Sequence, residues 1–237
     1  MNIKSLFTAI VAAFAFCLVA EAQIIREDEL EKYAIEKYGD DWEEAAIKIA
    51  NEHPLDANHA FTFTEVLQAP DMDANQIYDE LLVWFTSTFV DANSVLVSKE
   101  RERGLIVARG FIGETGKSTG VFARVFISVT PTIKIQIKDG KIRVTYSVPF
   151  YIEKKIVDDF AGVIGGVVVV ADNSVETDNV VLDKSFPYGE LKGGSKRARR
   201  RAQGRALVMS NAYANVVLDK IDKVIKEGYD GTANDEW

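Results

Sequence analysis

Two runs of strict alternation flank Asp139-Gly140. Ile133, Ile135 and Ile137 alternate with Lys134, Gln136 and Lys138, and Ile142, Val144, Tyr146, Val148 and Phe150 alternate with Arg143, Thr145 and Ser147. Period-two patterning on both sides of a favoured two-residue turn predicts an antiparallel hairpin with one buried and one wet face. Further upstream, Asp73 with Gln76 reads as a capping box. Ile77, Tyr78, Leu81, Leu82, Trp84, Phe85 and Phe89 then recur at helical spacing, predicting a helix over 74–90 whose wide apolar face lies on a sheet. Residues 61–67, 94–98, 104–112 and 121–129 read as strands, with a charged turn at 99–103. Ala214, Val217, Leu218, Ile221, Val224 and Ile225 predict a closing helix over about 205–227, stopped by Gly228. Trp84, Phe85, Phe89, Val144, Tyr146, Leu218 and Ile221 are the expected core.

Two shorter helices precede this domain and form an expected extension over 23–57. The first is read from Asp28 and Glu31 as a capping box, with Leu30, Tyr33, Ala34 and Tyr38 on one face. The second opens at Asp40-Asp41, carries Trp42, Ala45, Ala46, Ile49 and Ala50, and ends at His53-Pro54. Residues 1–22 have a different pattern: Lys4 in a short polar start, an apolar run from Leu6 to Val19, and Ala20-Glu21-Ala22 before Gln23. This is the layout of a secretory signal peptide cleaved between Ala22 and Gln23. The run is shorter than the roughly 20 residues of a spanning helix. An uncleaved anchor and lipidation of Cys17 are the alternatives; Cys17 lies inside the apolar run and lacks a small residue before it.

Residues 153–203 have no clear period and are expected as an irregular insertion in a domain spanning 60–228. Residues 160–171 are apolar and Gly-rich, read as a buried turn plus a strand; residues 173–183 are polar and loop-like. The basic run 196–201 is expected partly outside the last helix, because cations at a helix N-terminus are unfavourable. Residues 229–237 read as a loose tail.

Composition narrows the function. The hydrophobic share of 47% and charged share of 27% indicate a globular chain. The only cysteine lies in the signal segment, so no disulfide staples the mature protein and stability rests on an apolar core. The net charge of −8 argues against general binding to nucleic acid or anionic membranes. Export removes ATP, NAD and chromosomal DNA from the normal surroundings. No nucleic-acid partner and no transmembrane segment in the mature chain are expected.

The words Phe63-Thr-Glu-Val-Leu-Gln-Ala-Pro70, Gln76-Ile-Tyr78, Trp84-Phe85, Thr88-Phe89, Gly104-Leu-Ile106 and Gly110 occur in order over residues 60–152. This stretch resembles a domain of unknown function with a TATA-binding-protein-like fold, found in secreted proteins of Bacteroidetes bacteria. The resemblance implies an α+β fold: an antiparallel, curved sheet in strand–helix–four-strand–helix order, helices on one face, with the helical extension added. The family has no assigned catalytic residues, so none transfer.

The chemistry read from the residues is sparse. Gly113 to Thr119 looks like a phosphate-binding loop, but the position that needs the first glycine is Phe111; a flexible strand connection is expected. His53 and His59 are the only histidines and flank Pro54 in a linker, too few for a metal site. No cofactor, metal ligand or nucleophile–base set is expected. Carboxylate pairs at 40/41, 71/73 and 158/159 keep a hydrolase open as the rival to a binding module, alongside a purely structural envelope component. The candidate partner-binding face is the wet side of the hairpin: Lys134, Gln136, Lys138, Lys141, Arg143 and Thr145. Its plain reading is solubility and protection against edge pairing. Its functional reading is docking of an acidic partner: an envelope protein, a polyanionic ligand, or this chain's own acidic extension around residues 27–41.

Overall fold

The computed structural model describes residues 24–89, 91–120, 123–164, 167–192 and 195–229, and the backbone alone over 158–173. The expected signal segment, its junction at Ala22 and Gln23, and residues 230–237 of the expected tail lie outside these residues.

The extension forms α1 (Glu27–Tyr38) and α2 (Trp42–Glu52). Asp41 caps α2 by accepting from the Glu43 and Glu44 amides. The expected cap of α1 is not there: Arg26 occupies the N-cap position without a side-chain bond, and Asp28 sits inside the first turn with Glu27 and Glu29. Three acids at the positive end of a helix stabilise it without a box.

The main domain follows with β1 (Phe61–Gln68), α3 (Ala74–Thr88), the one-turn α4 (Ala92–Val95), β2 (Leu96–Glu100) and β3 (Leu105–Arg109). The Asp73–Gln76 capping box of α3 is present in both directions. Then come β4 (Ile112–Thr119), β5 (Ala123–Val129), β6 (Thr132–Lys138), β7 (Lys141–Val148), β8 (Phe150–Ile164), β9 (Val167–Val181) and α5 (Lys196–Glu227). The fold is α+β with antiparallel pairing throughout, in two sheets rather than one: β1-β7-β6-β3-β2 and β4-β5-β8-β9.

Two expectations are corrected. Residues 113–119 are not a flexible connection but strand β4, and 153–203 is largely regular, since β8 and β9 form one long hairpin. The β8–β9 pairing continues to Ile164↔Val167, whereas β5 pairs β8 only as far as Ala123↔Val157. Beyond that point the hairpin is two-stranded among the described residues. Residues 174–179 of β9, at a sheet edge, are all exposed, which is why they read as loop.

The core lies between sheets and helices. Ile133, Ile135, Ile142, Val144, Tyr146 and Val148 are buried on one face of the five-stranded sheet. Ile77, Leu81, Trp84 and Phe85 of α3 and Val217, Leu218 and Ile221 of α5 are buried with them in one cluster. The Trp84, Phe85 and Phe89 rings contact one another, with centroids 4.7–6.5 Å apart.

Helix α5 starts nine residues earlier than expected and includes the whole basic run. Its early turns meet β4 and α2, and Tyr213 reaches the Tyr146 ring of β7 at 6.2 Å. Carboxylates from elsewhere in the chain make the basic turns tolerable. Arg199 Nε lies 2.8 Å from the buried Glu153 of β8, and Arg200 lies 2.5 Å from Glu43 of α2. Glu153 also accepts from Gln203, whose own oxygen accepts the Phe186 amide.

Candidate functional site: the open face of the five-stranded sheet

The expected hairpin forms in the expected register. Lys138↔Lys141, Gln136↔Arg143 and Lys134↔Thr145 face one another across β6 and β7. Gly140 takes φ 71°, a value natural for glycine, and its turn is docked rather than free. Its amide donates to the Met72 carbonyl, and Asp139 accepts from the Ala74 amide at the start of α3. The end of the hairpin is thus fixed to the helix beneath the sheet.

Residues between the buried positions face the other way. Lys134, Gln136, Lys138, Lys141 and Arg143 are exposed, and Thr145 is half-buried. Neighbouring strands extend this face in register. Thr64 and Val66 of β1 lie opposite Thr145 and Arg143, while Val107 and Leu105 of β3 lie opposite Lys134 and Gln136. The Thr64 hydroxyl donates to Thr145 at 3.3 Å, and Thr62 and Ser147 are 3.2 Å apart, so a polar ladder joins β1 to β7. Val66, Gln136, Lys138, Lys141, Ile142 and Arg143 line a shallow depression of about 230 Å³.

Among the described residues Lys134, Lys138, Lys141 and Arg143 make no ion pair. Lys138 sits directly across from Lys141, and like charges directly opposite destabilise a sheet. Among the described residues the face therefore carries uncompensated positive charge, on a chain of net −8.

The acidic extension does not supply the missing anions, which corrects one expectation. It packs on α5 and β4 instead. Glu27 pairs with Lys117 and Arg205, Glu31 with Arg205, and Glu43 with Arg200. Arg205 is the centre of this junction. It is 2% exposed and donates to the carbonyls of Glu114 and Thr115, each at 2.8 Å. Those carbonyls are available because β4 is irregular between Ile112 and Gly116, with Glu114 at φ 46°. In the sequence Arg205 was only one more basic residue after a basic run.

Other sequence candidates are placed as follows. His53 is half-buried against Phe61 and Phe63, and its carbonyl accepts from the Tyr188 hydroxyl. His59 lies 3.6 Å from Asp183. Asp41 and Asp73 of the carboxylate pairs are engaged as helix caps. Among the described residues no three potential ligands converge on a metal position, and no helix is long and apolar enough to cross a membrane.

Residues 63–151, which contain the candidate face, match the model of a family described as a domain of unknown function (DUF4468) with TBP-like fold. Two solved structures are similar. A TBP-like protein from Parabacteroides distasonis is 7% identical with a TM-score of 0.44, over 75% of this chain and 99% of that one. A DUF4468 family protein from Bacteroides ovatus is 16% identical with a TM-score of 0.39, over 71% of this chain and 90% of that one. No curated protein matches. Over residues 63–151, then, this chain matches the DUF4468 family of TBP-like fold.

Proposed function

We propose that this chain is an exported, non-catalytic binding module of the cell envelope whose open sheet face docks an acidic partner. The observation that carries the reading is the set of four cations, Lys134, Lys138, Lys141 and Arg143, which among the described residues make no ion pair on an exposed sheet face. Two of them are held opposite each other although that arrangement disfavours the free sheet. A polyanionic surface laid on the face relieves the repulsion. Val66, Leu105 and Val107 add apolar contact between the charges.

Such docking is electrostatic and exposed, so salt screens it within about 8 Å at physiological ionic strength. Polyglutamate is the defined probe. The mature chain is expected to bind it at low salt and to release it as salt rises. The K134E/K138E/K141E/R143E variant, checked by melting to be folded, is expected to lose binding. Equal binding by that variant, with an unchanged salt response, removes this face from the function. Export is tested separately by the intact mass of the secreted protein. A chain starting at Gln23 is expected, and one that retains residues 1–22 or carries lipid on Cys17 overturns that part.

A further inference from the structure

The basic run at the start of α5 divides between two sides of the helix. Arg199 turns inward to Glu153. Lys196, Arg197, Arg200 and Arg201, at helical spacing i, i+1, i+4 and i+5, line a different space: a cleft of about 860 Å³ between α2, residues 186–191 and the helix. Its floor mixes polar and apolar groups, with Phe186, Pro187 and Ile47 against Asn51. Two acids line it, Glu43 and Glu190, against the four cations.

The two acids do not neutralise the cleft. Glu43 lies 2.5 Å from Arg200 and 4.0 Å from Arg201, so one carboxylate already bridges two guanidinium groups. Arg200 is fixed further by stacking over the Phe186 ring at 4.2 Å. Lys196 and Arg197 are exposed and make no ion pair among the described residues. They also occupy the first turn of a 32-residue helix, where a cation is unfavourable. Two free cations beside a pre-oriented guanidinium, over an aromatic wall, fit a compact dianion attached to a larger body.

We propose that this cleft binds a ligand through a phosphate group, with Lys196 and Arg197 as its principal contacts and Arg200 as a fixed third donor. Arginine matches phosphate oxygens with paired N–H donors, and lysine adds a point charge. The body of the ligand lies against Phe186 and Pro187. A soluble phosphomonoester and the phosphomonoester headgroup of phosphatidic acid present the same chemistry to these residues. The site is separate from the sheet face and does not depend on its reading.

The mature chain is titrated calorimetrically with glucose 6-phosphate and with inorganic phosphate. It is also sedimented with vesicles of equal parts phosphatidic acid and phosphatidylcholine, against phosphatidylcholine alone. Saturable binding in at least one arm is expected, weakened about tenfold or more in K196Q/R197Q, as befits the loss of two charge-assisted contacts. Both side chains are exposed and make no ion pair among the described residues, so the variant is expected to melt like the wild type. Binding in the soluble arms assigns a phosphomonoester, and binding in the vesicle arm alone assigns a headgroup. No binding in any arm, or equal binding by K196Q/R197Q, overturns the proposal. The K134E/K138E/K141E/R143E variant is run beside it, so loss confined to that variant is charged to the sheet face and counts against the cleft.

Discussion

At the scale of single residues, the fold depends on a few close approaches. Gly116 of β4 lies so near α5 that a Cβ there would stand 2.0 Å from the Ala202 carbonyl oxygen. That oxygen is helix backbone and cannot move aside without bending α5. Gly116→Ala is expected to destabilise by about 1–3 kcal/mol or more, as overpacking does, read from denaturant melts. An unchanged midpoint would mean that strand and helix are further apart than described. Phe85 tests the other side of the core. It is fully buried between Trp84 and Phe89, and Phe85→Ala is expected to lose about 3–5 kcal/mol. A loss under about 1 kcal/mol would mean the helix presents another face.

At the scale of elements, the extension is joined to the domain by Arg205 more than by any other polar side chain. Its guanidinium is buried, its two carboxylate partners are about one-third exposed, and it holds both α1 and the irregular part of β4. Breaking a buried pair costs about 3–5 kcal/mol, and the exposure of Glu27 and Glu31 places Arg205→Ala near the lower end. Proteolysis should then cut first between the extension and β1, near residues 53–60; a variant as resistant as the wild type would refute this role. The same elements show what the sequence could and could not convey. The β6–β7 hairpin and α3 were legible because each buries one side, so Ile133 to Ile137 and Ile77 to Phe85 carry a clean period. The β8–β9 hairpin was not, because residues 174–179 of its edge strand β9 are all exposed and show no buried side. The start of α5 was misread for an electrostatic reason. Local rules place cations outside a helix N-terminus, and only the folded chain brings Glu43 and Glu153 to Arg200 and Arg199. The candidate face was legible as a wet strand side, but its lack of ion pairs is a property of the assembled sheet.

At the scale of the whole molecule, charge is sorted rather than mixed, and the buried charges Glu153 and Arg205 are paired. Glu27, Glu31 and Glu43 of the extension are spent on α5 and β4, and among the described residues the sheet face and the α5 cleft stay positive on a chain of net −8. Beside these pairs the interior carries tyrosine hydroxyls. Burial raises the Tyr146 and Tyr151 hydroxyls well above their ordinary range, and raises Tyr188 as well. Burial also pushes Tyr213 up to about 12, with the Ile24 amide opposing the shift. These four connect β7, β8, the 186–191 loop and α5, so their titration reports on the entire fold. A tyrosine with a raised folded value contributes its full stability below the unfolded value of about 10 and loses it as pH climbs toward the folded value. Each unit is worth about 1.4 kcal/mol, so Tyr213 alone withdraws about 2–3 kcal/mol by pH 12. The chain is expected to hold a constant stability from neutral pH to about 10 and to unfold cooperatively above it. Tyrosinate absorbance should rise in two phases, with the exposed rings first and the buried ones only together with loss of the helical circular dichroism. A single phase centred near pH 10 with the fold intact would show that these rings are open to water, and the core described between sheet and α5 would have to be given up.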